Sequence, residues 1–281
     1  MNVPPISIGL EQVQVQFQPI LDGFVAGNIS EEEMLKGVEW DKRWFWPYEG
    51  YRPVFDLARE LKIPLIALNV DSEDLAVVEK SGLQGLSPEQ IRKYIKDPAG
   101  FAVFTKSRSF LTYASYVIEP SYKLHKEMGL LRSTISGQQL EQDMSYLNFI
   151  GGRILWDETM AGRAYSWTRK NPSGLMIGLI GADHIKFSKG IPGRFDRWIN
   201  SDDTANISVL LNPTLIDSRP PGSVAGYRNS DSSQFYNDIT LQLRYLKDDI
   251  DVYSKTDEEL DKHENTGGVL PISEYIVVSR A

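Results

Sequence analysis

The chain reads Leu175-Met176-Ile177-Gly178-Leu179-Ile180-Gly181-Ala182-Asp183-His184 at the point that decides its fold. Six apolar residues with strand-like character lead into a glycine turn and then a histidine, and a long helical run ending at Asn171-Pro172 precedes them. In an open parallel sheet, ligands bind just beyond the carboxyl ends of the strands. The pattern therefore predicts a buried strand over 175–180 that delivers His184 to a binding site.

Further apolar runs with the same buried-strand character lie on both sides of this stretch. They cover residues 6–10, 64–70 and 207–211, and a last strand is predicted over 275–279. Helical patterns separate them, including a run over 138–169 whose weak point is the pair Gly151-Gly152. Apolar strands that alternate with helices indicate an α/β fold, with a mostly parallel buried sheet flanked by helices.

The character of the chain changes after Asn212. Residues 213–235 are rich in Pro, Ser, Gly and Asp, a half-exposed strand pattern covers 239–245, and residues 247–264 are acidic. We therefore expect one α/β domain over 1–212 and a loop-rich C-terminal extension over 213–281, whose final strand completes the same sheet. Because the chain opens almost at once on the strand at Ile6, we also expect that an upstream segment is missing.

The composition excludes several classes of function. The net charge of −8 argues against nucleic acid or an anionic membrane surface as a partner. The absence of cysteine excludes disulfides, thiolate zinc sites and cysteine-ligated iron–sulfur clusters. No apolar run approaches the ~20 residues that span a bilayer, and residues 1–5 carry no export or lipidation signal. A soluble protein is expected.

One stripe of large side chains recurs at helical spacing before the 175–180 strand. Its members are Trp156, Met160, Arg163 and Trp167. The favoured interpretation is a helix that packs on the sheet. The functional alternative is a flat apolar wall for a planar ligand. The neighbouring carboxylates of Asp157 and Glu158 point to different faces of a helix, so they do not form a catalytic pair, and Asp157 is expected to bind Arg153.

Histidine chemistry depends on one residue. The chain has three histidines, of which His125 is predicted to be solvated on a helix and His263 to be exposed in the acidic stretch. His184 differs because it follows a strand, and Glu11 follows another strand in the same way. Glu11 and His184 together are candidate ligands of a divalent metal that activates water. The tryptophan cluster over 40–46 is either a lid or a plug at the sheet edge, and the plug is preferred.

At these residues the chain resembles the ChaN-like haem-binding family, which is related to the Tiki/TraB group. The resemblance is carried by Trp156 to Ala161, the strand that follows, and Gly181 to His184. Supporting motifs extend it over about residues 6–212, and the C-terminal part is similar to the plant and algal branch. These motifs are Gly9-Leu10-Glu11 with Gln18, Trp40, Tyr51-Arg52-Pro53, Ile66-Ala67-Leu68-Asn69, Gly82-Leu83, Leu86-Ser87-Pro88-Glu89 and Gly190-Ile191-Pro192.

The resemblance implies binding of haem, or of a related tetrapyrrole or iron, as a small planar ligand, with homodimers that sandwich the cofactor. It implies that His184 occupies the Gly-x-x-His position of the family, while Glu11 and Asp157 match less diagnostic positions. Trp156 and Met160 are the candidate ligand wall, and Tyr51 or His184 the candidate axial ligand. The Gly-Glu-x-His-type motif that usually opens family members does not precede Ile6.

Three functions remain at this point. The first is a non-enzymatic haem-binding protein, the second a Tiki-like metal-dependent hydrolase, and the third a truncated, inactive relative. The plant and algal branch implies a chloroplast location if a transit peptide is missing upstream of this chain, and a cytoplasmic location otherwise.

Overall fold

The computed structural model describes residues 4–199, 204–213, 242–246 and 267–279. The elements follow one another in chain order as listed here. They are β1 (Ile6–Gln14), α1 (Gln18–Ala26), α2 (Glu31–Gly37), α3 (Trp40–Arg43), α4 (Arg52–Leu61), β2 (Leu65–Asn69), α5 (Ser72–Ser81), α6 (Pro88–Tyr94), α7 (Pro98–Lys106), α8 (Arg108–Tyr113), α9 (Glu119–Glu127), α10 (Tyr146–Lys170), β3 (Leu175–Leu179), α11 (Ala182–Ile185), α12 (Ile191–Asp196), β4 (Val209–Leu211), β5 (Gln242–Leu246), β6 (Gly267–Pro271) and β7 (Tyr275–Val277).

The chain divides into two compact units, each built from two stretches of sequence. Unit 1 comprises Met1–Lys96 and Leu131–Gly181, and unit 2 comprises Asp97–Leu130 and Ala182–Ala281. Residue 212 is not a boundary in this division. Because most of the predicted extension lies outside the described residues, the division of the chain at 212 stays a prediction.

Unit 1 contains a parallel three-stranded sheet in the order β2-β1-β3. Ile8 pairs with Leu65 of β2 and with Ile177 of β3, so β1 is the central strand. Helices lie in both crossover connections, α1 to α4 between β1 and β2, and α5 to α10 before β3. The prediction of an α/β fold with a parallel sheet flanked by helices is confirmed.

The central strand is longer than the sequence pattern predicts. β1 continues from Ile6 to Gln14, and the first α-helix begins only at Gln18, with Pro19 in its first turn. The predicted end of the strand at residue 10 was wrong because the residues that follow Leu10 are polar, which is typical of the end of a buried strand. These polar side chains are buried and make hydrogen bonds within the sheet: Nε2 of Gln12, for example, donates to the carbonyl of Leu179 at 3.3 Å.

Two helix starts agree with their sequence signatures. Ser30 and Glu33 form a capping box at the start of α2, and Ser87 and Gln90 form another at the start of α6. In each box the serine side chain and the side chain three residues later satisfy each other's backbone N–H groups. Such boundaries are visible in the sequence because capping is a local interaction.

The long helix α10 runs without a break through the glycine pair that was predicted to be its weak point. A Cβ atom at Gly151 would lie 3.3 Å from Cγ1 of Val78, and one at Gly152 would lie 3.3 Å from Cδ1 of Leu75. Both contacts are to α5. The glycines therefore allow two helices to approach closely, and the weak-point prediction was wrong because it considered helix propensity alone.

The strand over 175–179 is an edge strand and not the buried strand that was predicted. Leu175 is 53% exposed and Ile177 is 48% exposed. The apolar core lies instead over the other two strands. It joins Ile8, Leu10, Val13, Leu21, Phe24, Met34, Val38, Trp40, Tyr48, Phe55, Ala58, Leu65 and Ala67. A short apolar run therefore predicted the strand correctly but not its place in the sheet, which depends on pairing between distant segments.

Unit 2 contains helices α7 to α9, α11 and α12, and two small sheets. β4 pairs in parallel with β7, and β5 pairs in antiparallel with β6. The predictions that 207–211 is a fourth strand of the main sheet and that the last strand completes that sheet are therefore wrong. Residues 214–241 and 247–266, which include most of the predicted loops, lie outside the described residues. Among the helices that are described, none is long and apolar enough to cross a membrane.

Candidate functional site

A small cleft opens in unit 1 near the carboxyl ends of β1 and β2, where ligands bind in open α/β sheets. Its enclosed volume is about 10 Å³, which is room for about one water molecule. Pockets that enclose small molecules usually measure about 300–1,000 Å³, so this cleft does not enclose a tetrapyrrole. It is lined by Gln14, Arg43, Asn69, Val70, Ser72, Leu75, Ile135 and Trp156.

Gln14, the last residue of β1, organises the polar wall of the cleft. Its Oε1 accepts hydrogen bonds from the backbone N–H of Ser72 at 3.2 Å and from Nη1 of Arg43 at 2.7 Å. Its Nε2 donates to Oγ of Ser72. The side chain thus joins the end of β1, the start of α5 and the end of α3 in one network. Sequence reasoning missed Gln14 because it ended the strand at Leu10.

Arg43 carries the positive charge of the cleft, and two carboxylates neutralise it. Its guanidinium lies 2.6 Å from Glu39 and 2.7 Å from Glu73, and its side chain is only 9% exposed. The hydrogen bond from Arg43 lowers the pKa of Glu73 to about 2. The ring of Phe17 lies 5.1 Å from the guanidinium carbon. Arg43 therefore holds the wall of the cleft in place.

Asn69 has a polar side chain that is incompletely bonded. It ends β2, it is 5% exposed, and its Nδ2 donates to the backbone carbonyl of Glu11 at 2.8 Å. That bond fixes the amide, and its buried Oδ1 has no hydrogen-bond partner among the described residues. A buried acceptor of this kind costs free energy until a donor reaches it. The sequence named Asn69 only as part of the resemblance.

The predicted residues of α10 have different environments. Trp156 is half-buried and lines the cleft, as the ligand-wall interpretation requires. Met160 is fully buried, so it belongs to the core. Asp157 is also fully buried, and Arg153 lies 3.6 Å from it, which confirms the predicted pair. Arg163 donates to the carbonyl of Ala67 at 3.1 Å, which ties the stripe to the sheet. The packing interpretation thus explains most of the stripe.

Glu11 is 3% exposed, and its Oε2 accepts a hydrogen bond from the backbone N–H of Gly181. The carboxylate therefore joins β1 to the turn that follows β3, which is a structural explanation of its position. Within the residues that the structure describes, no group of three or more His, Asp or Glu side chains could hold a metal ion. The metal-ligand roles of Glu11 and His184 stay predictions.

His184 belongs to unit 2, where it is 7% exposed in the short helix α11. The hydroxyl of Tyr113 donates to the backbone carbonyl of Asp183 at 2.9 Å, which holds this segment against α8. Gly190 passes so close to the carbonyl of His184 that a Cβ atom would not fit between them. His184 therefore lies in a tightly packed turn. The other predicted site residues belong to unit 1.

The aromatic loop, residues 44–51, presents a different kind of surface in unit 1. Phe45 is 89% exposed and Trp46 is 56% exposed, although both are large aromatic residues. The rings of Trp44 and Trp46 lie 5.3 Å apart. Exposed aromatic groups of this size usually mark a binding surface. The loop therefore offers flat apolar area to a ligand or partner.

Buried aromatic residues anchor this loop. Trp40 is 3% exposed, and its Nε1 donates to the carbonyl of Trp46 at 3.1 Å. The ring of Trp40 makes edge contacts with Tyr51 and Phe55 at 5.4 and 5.8 Å. Nε1 of Trp44 donates to the phenol oxygen of Tyr51 at 3.3 Å. The tryptophan cluster thus combines a buried residue, Trp40, with an exposed surface, and the plug at the sheet edge stays a prediction.

A comparison with curated proteins finds a plant relative. The chain is 25% identical over 215 residues to the protein RETICULATA-RELATED 5, chloroplastic, of Arabidopsis thaliana. That similarity covers 74% of this chain and 26% of the relative, so the chain spans about a quarter of the relative's length.

Two solved structures are similar to part of this chain. ChaN of Campylobacter jejuni, described with cofacial haem binding, shares 16% identity at a TM-score of 0.49, over 75% of this chain and 69% of that one. A protein of Bacillus cereus shares 12% identity at a TM-score of 0.34, over 86% of this chain and 68% of that one.

The family comparison covers most of the chain. The model of the family described as "Haem-binding uptake, Tiki superfamily, ChaN" matches residues 1–195. This range contains the strands of the parallel sheet, the cleft, the aromatic loop and His184. The chain belongs to the ChaN haem-binding uptake family of the Tiki superfamily.

Proposed function

We propose that this chain binds haem, or a related tetrapyrrole, on an open surface and without catalysing a reaction. The observation that carries the proposal is the exposed aromatic loop, in which the ring of Trp46 contacts Phe45 and Trp44, and Trp44 in turn donates a hydrogen bond to the half-buried Tyr51. A planar macrocycle needs flat apolar area, and these rings supply it. Membership of a haem-binding family supports the same ligand class.

The residues of unit 1 fit an open haem site better than an enclosed one. The cleft is too small for a macrocycle, and Met160 is fully buried. Tyrosine is a known haem ligand, and the hydrogen bond that the phenol oxygen of Tyr51 accepts from Nε1 of Trp44 holds it within the aromatic loop. When bound, haem would supply the iron that Tyr51 coordinates.

Cationic side chains on neighbouring elements suit the acidic edge of such a ligand. Lys42, at the end of α3, is 66% exposed, and Arg52, at the start of α4, is 46% exposed. The ion pairs that these residues form with glutamates are at the surface and are therefore weak. We propose that they rearrange to hold the propionate groups of haem.

A haem titration followed by absorbance tests the axial ligand. We expect saturable binding by the unaltered chain, and at least a tenfold loss of affinity in Tyr51→Phe, since the phenol oxygen is removed while the ring stays. The matched control is Tyr165→Phe, a half-buried tyrosine on α10, which should bind as the unaltered chain does. No saturable binding by the unaltered chain would overturn the proposal.

The same titration separates Tyr51 from the other predicted contacts. If His184→Ala loses binding and Tyr51→Phe does not, the axial role passes to His184. Trp156→Ala tests whether the wall of the cleft contributes, and an unchanged affinity would leave it outside the site. Loss of binding in Trp46→Ala, with an unchanged far-ultraviolet circular dichroism spectrum, is expected because an exposed ring contributes area to the ligand and little to the fold.

We also propose a chloroplast location, since the Arabidopsis relative is named as a chloroplast protein. Detection of the protein in isolated, protease-treated chloroplasts, and not in the cytosolic fraction, is the expected result. Recovery in the cytosolic fraction alone would contradict it.

A further inference from the structure

A compact loop, residues 131–144, precedes α10 in unit 1 and is called the strap. Its two ends are buried, and the N–H of Met144 donates to the carbonyl of Leu131 at 2.8 Å, so the ends lie side by side. Surface loops whose ends meet in this way are frequently functional. Ile135, in the first half of the strap, lines the cleft. The strap therefore forms part of the cleft wall.

Hydrogen bonds within the strap make it a unit of its own. The N–H of Thr134 donates to the carbonyl of Gln138, and the N–H of Leu140 donates to the carbonyl of Arg132, both at 2.9 Å. Gly137 turns the chain between them with a φ of +84°, a conformation that favours glycine. The strap can therefore move away from the cleft without breaking its own bonds.

Glu79 of α5 holds the strap to the rest of unit 1. Its Oε2 accepts a hydrogen bond from the backbone N–H of Ile135 at 2.7 Å. Among the residues that the structure describes, no other hydrogen bond joins residues 132–143 to a residue outside the strap. The side chain of Ile135 is 41% exposed, so little apolar burial adds to this bond. One carboxylate is thus the latch of the strap.

The cleft behind the strap has a reason to open. With the strap in place it has room for about one water molecule, and Oδ1 of Asn69 is a buried acceptor that has no hydrogen-bond partner among the described residues. Such an acceptor costs free energy that contact with water would recover. Movement of Ile135 away from the cleft would admit solvent to Asn69 and to Trp156, which lines the same cleft.

The latch is a group that titrates near neutral pH. Burial raises the pKa of Glu79 to about 7, and the hydrogen bond from Ile135 opposes that rise. The charged groups of the surrounding elements are paired or exposed, so burial is the cause. They are Lys80 of α5 and Glu141 of the strap, both exposed, the pair Arg132–Asp143 within the strap, and the pair Arg153–Asp157 of α10.

We infer that residues 131–144 are a gate over the cleft, which Glu79 keeps closed while it carries a proton and releases when it loses that proton. A protonated carboxyl still accepts the N–H of Ile135 through its carbonyl oxygen and is neutral, so it stays buried at low cost. A carboxylate gains more from water, which it reaches when the strap opens. The inference does not depend on the proposed haem site.

The direction of the pH dependence follows from these two forms. The closed form binds the proton with a pKa of about 7, whereas in the open form the carboxyl is in water and has its ordinary pKa of 4.5. Because the closed form binds the proton more tightly, the fraction of open strap rises as the pH passes from 4.5 through 7.

Amide hydrogen exchange of the full chain, measured residue by residue, tests the latch. The protection factor of the Ile135 amide, which is corrected for the intrinsic effect of pH on exchange, should fall by at least about tenfold between pH 5 and pH 8. In Glu79→Gln it should be the same at both pH values, because the amide accepts the same bond and does not titrate. The matched control is Glu89→Gln, an exposed glutamate of α6, which should respond as the unaltered chain does.

Two results of this experiment would overturn the inference. The first is an equal fall in protection in the unaltered chain and in Glu79→Gln, since the proton would then act elsewhere. The second is protection of Ile135 equal to that of the most protected amides of β1 at both pH values. The strap would then open only when the whole unit unfolds.

Thiol labelling tests whether the strap covers the cleft. The chain has no cysteine, so Ser72→Cys places a single thiol at a buried position of the cleft wall. At pH 8, iodoacetamide should label this variant at least about tenfold faster than it labels Ser72→Cys combined with Glu79→Gln. Comparison at one pH removes the titration of the thiol itself. Equal labelling rates would contradict the gate.

Discussion

The cleft and the aromatic loop lie in the same unit and meet at the end of α3. They differ in which side chains are buried. In the cleft, Gln14 and Asn69 are polar and at least nine-tenths buried. In the loop, Phe45 and Trp46 are apolar and mostly exposed. Buried polar groups need partners, so the cleft is held by a network that leaves little freedom. Exposed rings have no such constraint, so they remain available to a ligand. The cleft therefore maintains the shape of the unit, and the loop is the better candidate for binding.

The largest effect is expected from removing the anchor that supports the loop. Phe55→Ala deletes a fully buried ring that contacts Trp40 and Tyr48 at 5.8 and 5.2 Å. The free energy of unfolding should fall by about 3–5 kcal/mol, the usual cost of truncating a buried phenylalanine. Urea unfolding followed by tryptophan fluorescence measures it. A loss below about 1 kcal/mol would mean that the loop is not anchored by this ring.

A smaller effect is expected from the charge that holds the cleft. Arg43→Met keeps the apolar stem but removes the bonds to Gln14, Glu39 and Glu73, and it should lower the free energy of unfolding by about 1–2 kcal/mol at neutral pH. The pKa of Glu73 is depressed to about 2 from 4.5, so its contribution is present above pH 4.5 and is lost as the pH falls towards 2. That acid dependence should shrink in Arg43→Met. An unchanged acid profile in urea unfolding would contradict the pairing.

The cleft also predicts a pH effect of opposite sign. Burial raises the pKa of Glu79 to about 7, although its carboxylate accepts a hydrogen bond from the N–H of Ile135, which lines the cleft. Because the folded protein binds the proton more tightly than the unfolded chain, stability falls as the pH rises from 4.5 through 7. Glu79→Gln should remove this fall, a difference of at most about 3 kcal/mol at pH 8. Urea unfolding at pH 5 and pH 8 measures this difference. If the free energy of unfolding changed equally between the two pH values in the unaltered chain and in Glu79→Gln, the prediction would be wrong.

The smallest effect on stability is expected from the exposed rings. Phe45→Ala should change the free energy of unfolding by less than about 0.5 kcal/mol, because its side chain is already in water. Its effect on haem affinity should nevertheless exceed that of Phe55→Ala measured on the folded fraction. If Phe55→Ala lowered stability more and Phe45→Ala lowered haem affinity more, the buried ring would be the anchor of the loop and the exposed ring its binding surface. A large loss of stability in Phe45→Ala would show that the ring is structural.

Several features were predictable because they depend on neighbours in sequence. The capping boxes at Ser30 and Ser87 and the pairing of Asp157 with Arg153 involve residues three or four apart. Other features were not predictable, because a periodic pattern shows which face of an element is apolar and not which element meets it. The close packing of Gly151 on Val78 belongs to this second kind.

The candidate site divides in the same way. Trp156 and Tyr51 were predicted as site residues. Trp156 lines the cleft, and Tyr51 lies in the aromatic loop, where its ring contacts Trp40. Gln14 and Arg43 were missed, since their roles come from contacts across 58 and 29 positions of sequence, to Ser72 and to Gln14 respectively.

The sequence by itself determined the alternation of strands and helices, the helix starts that a capping box marks, and the family to which the chain belongs. These depend on local periodicity, on capping and on ordered motifs. Only the tertiary structure decided that β1 is central, that β3 is an exposed edge, and that β4 pairs with β7 in a separate sheet. Strand pairing is a choice among segments far apart in the chain, and its free energy depends on contacts that no single segment contains.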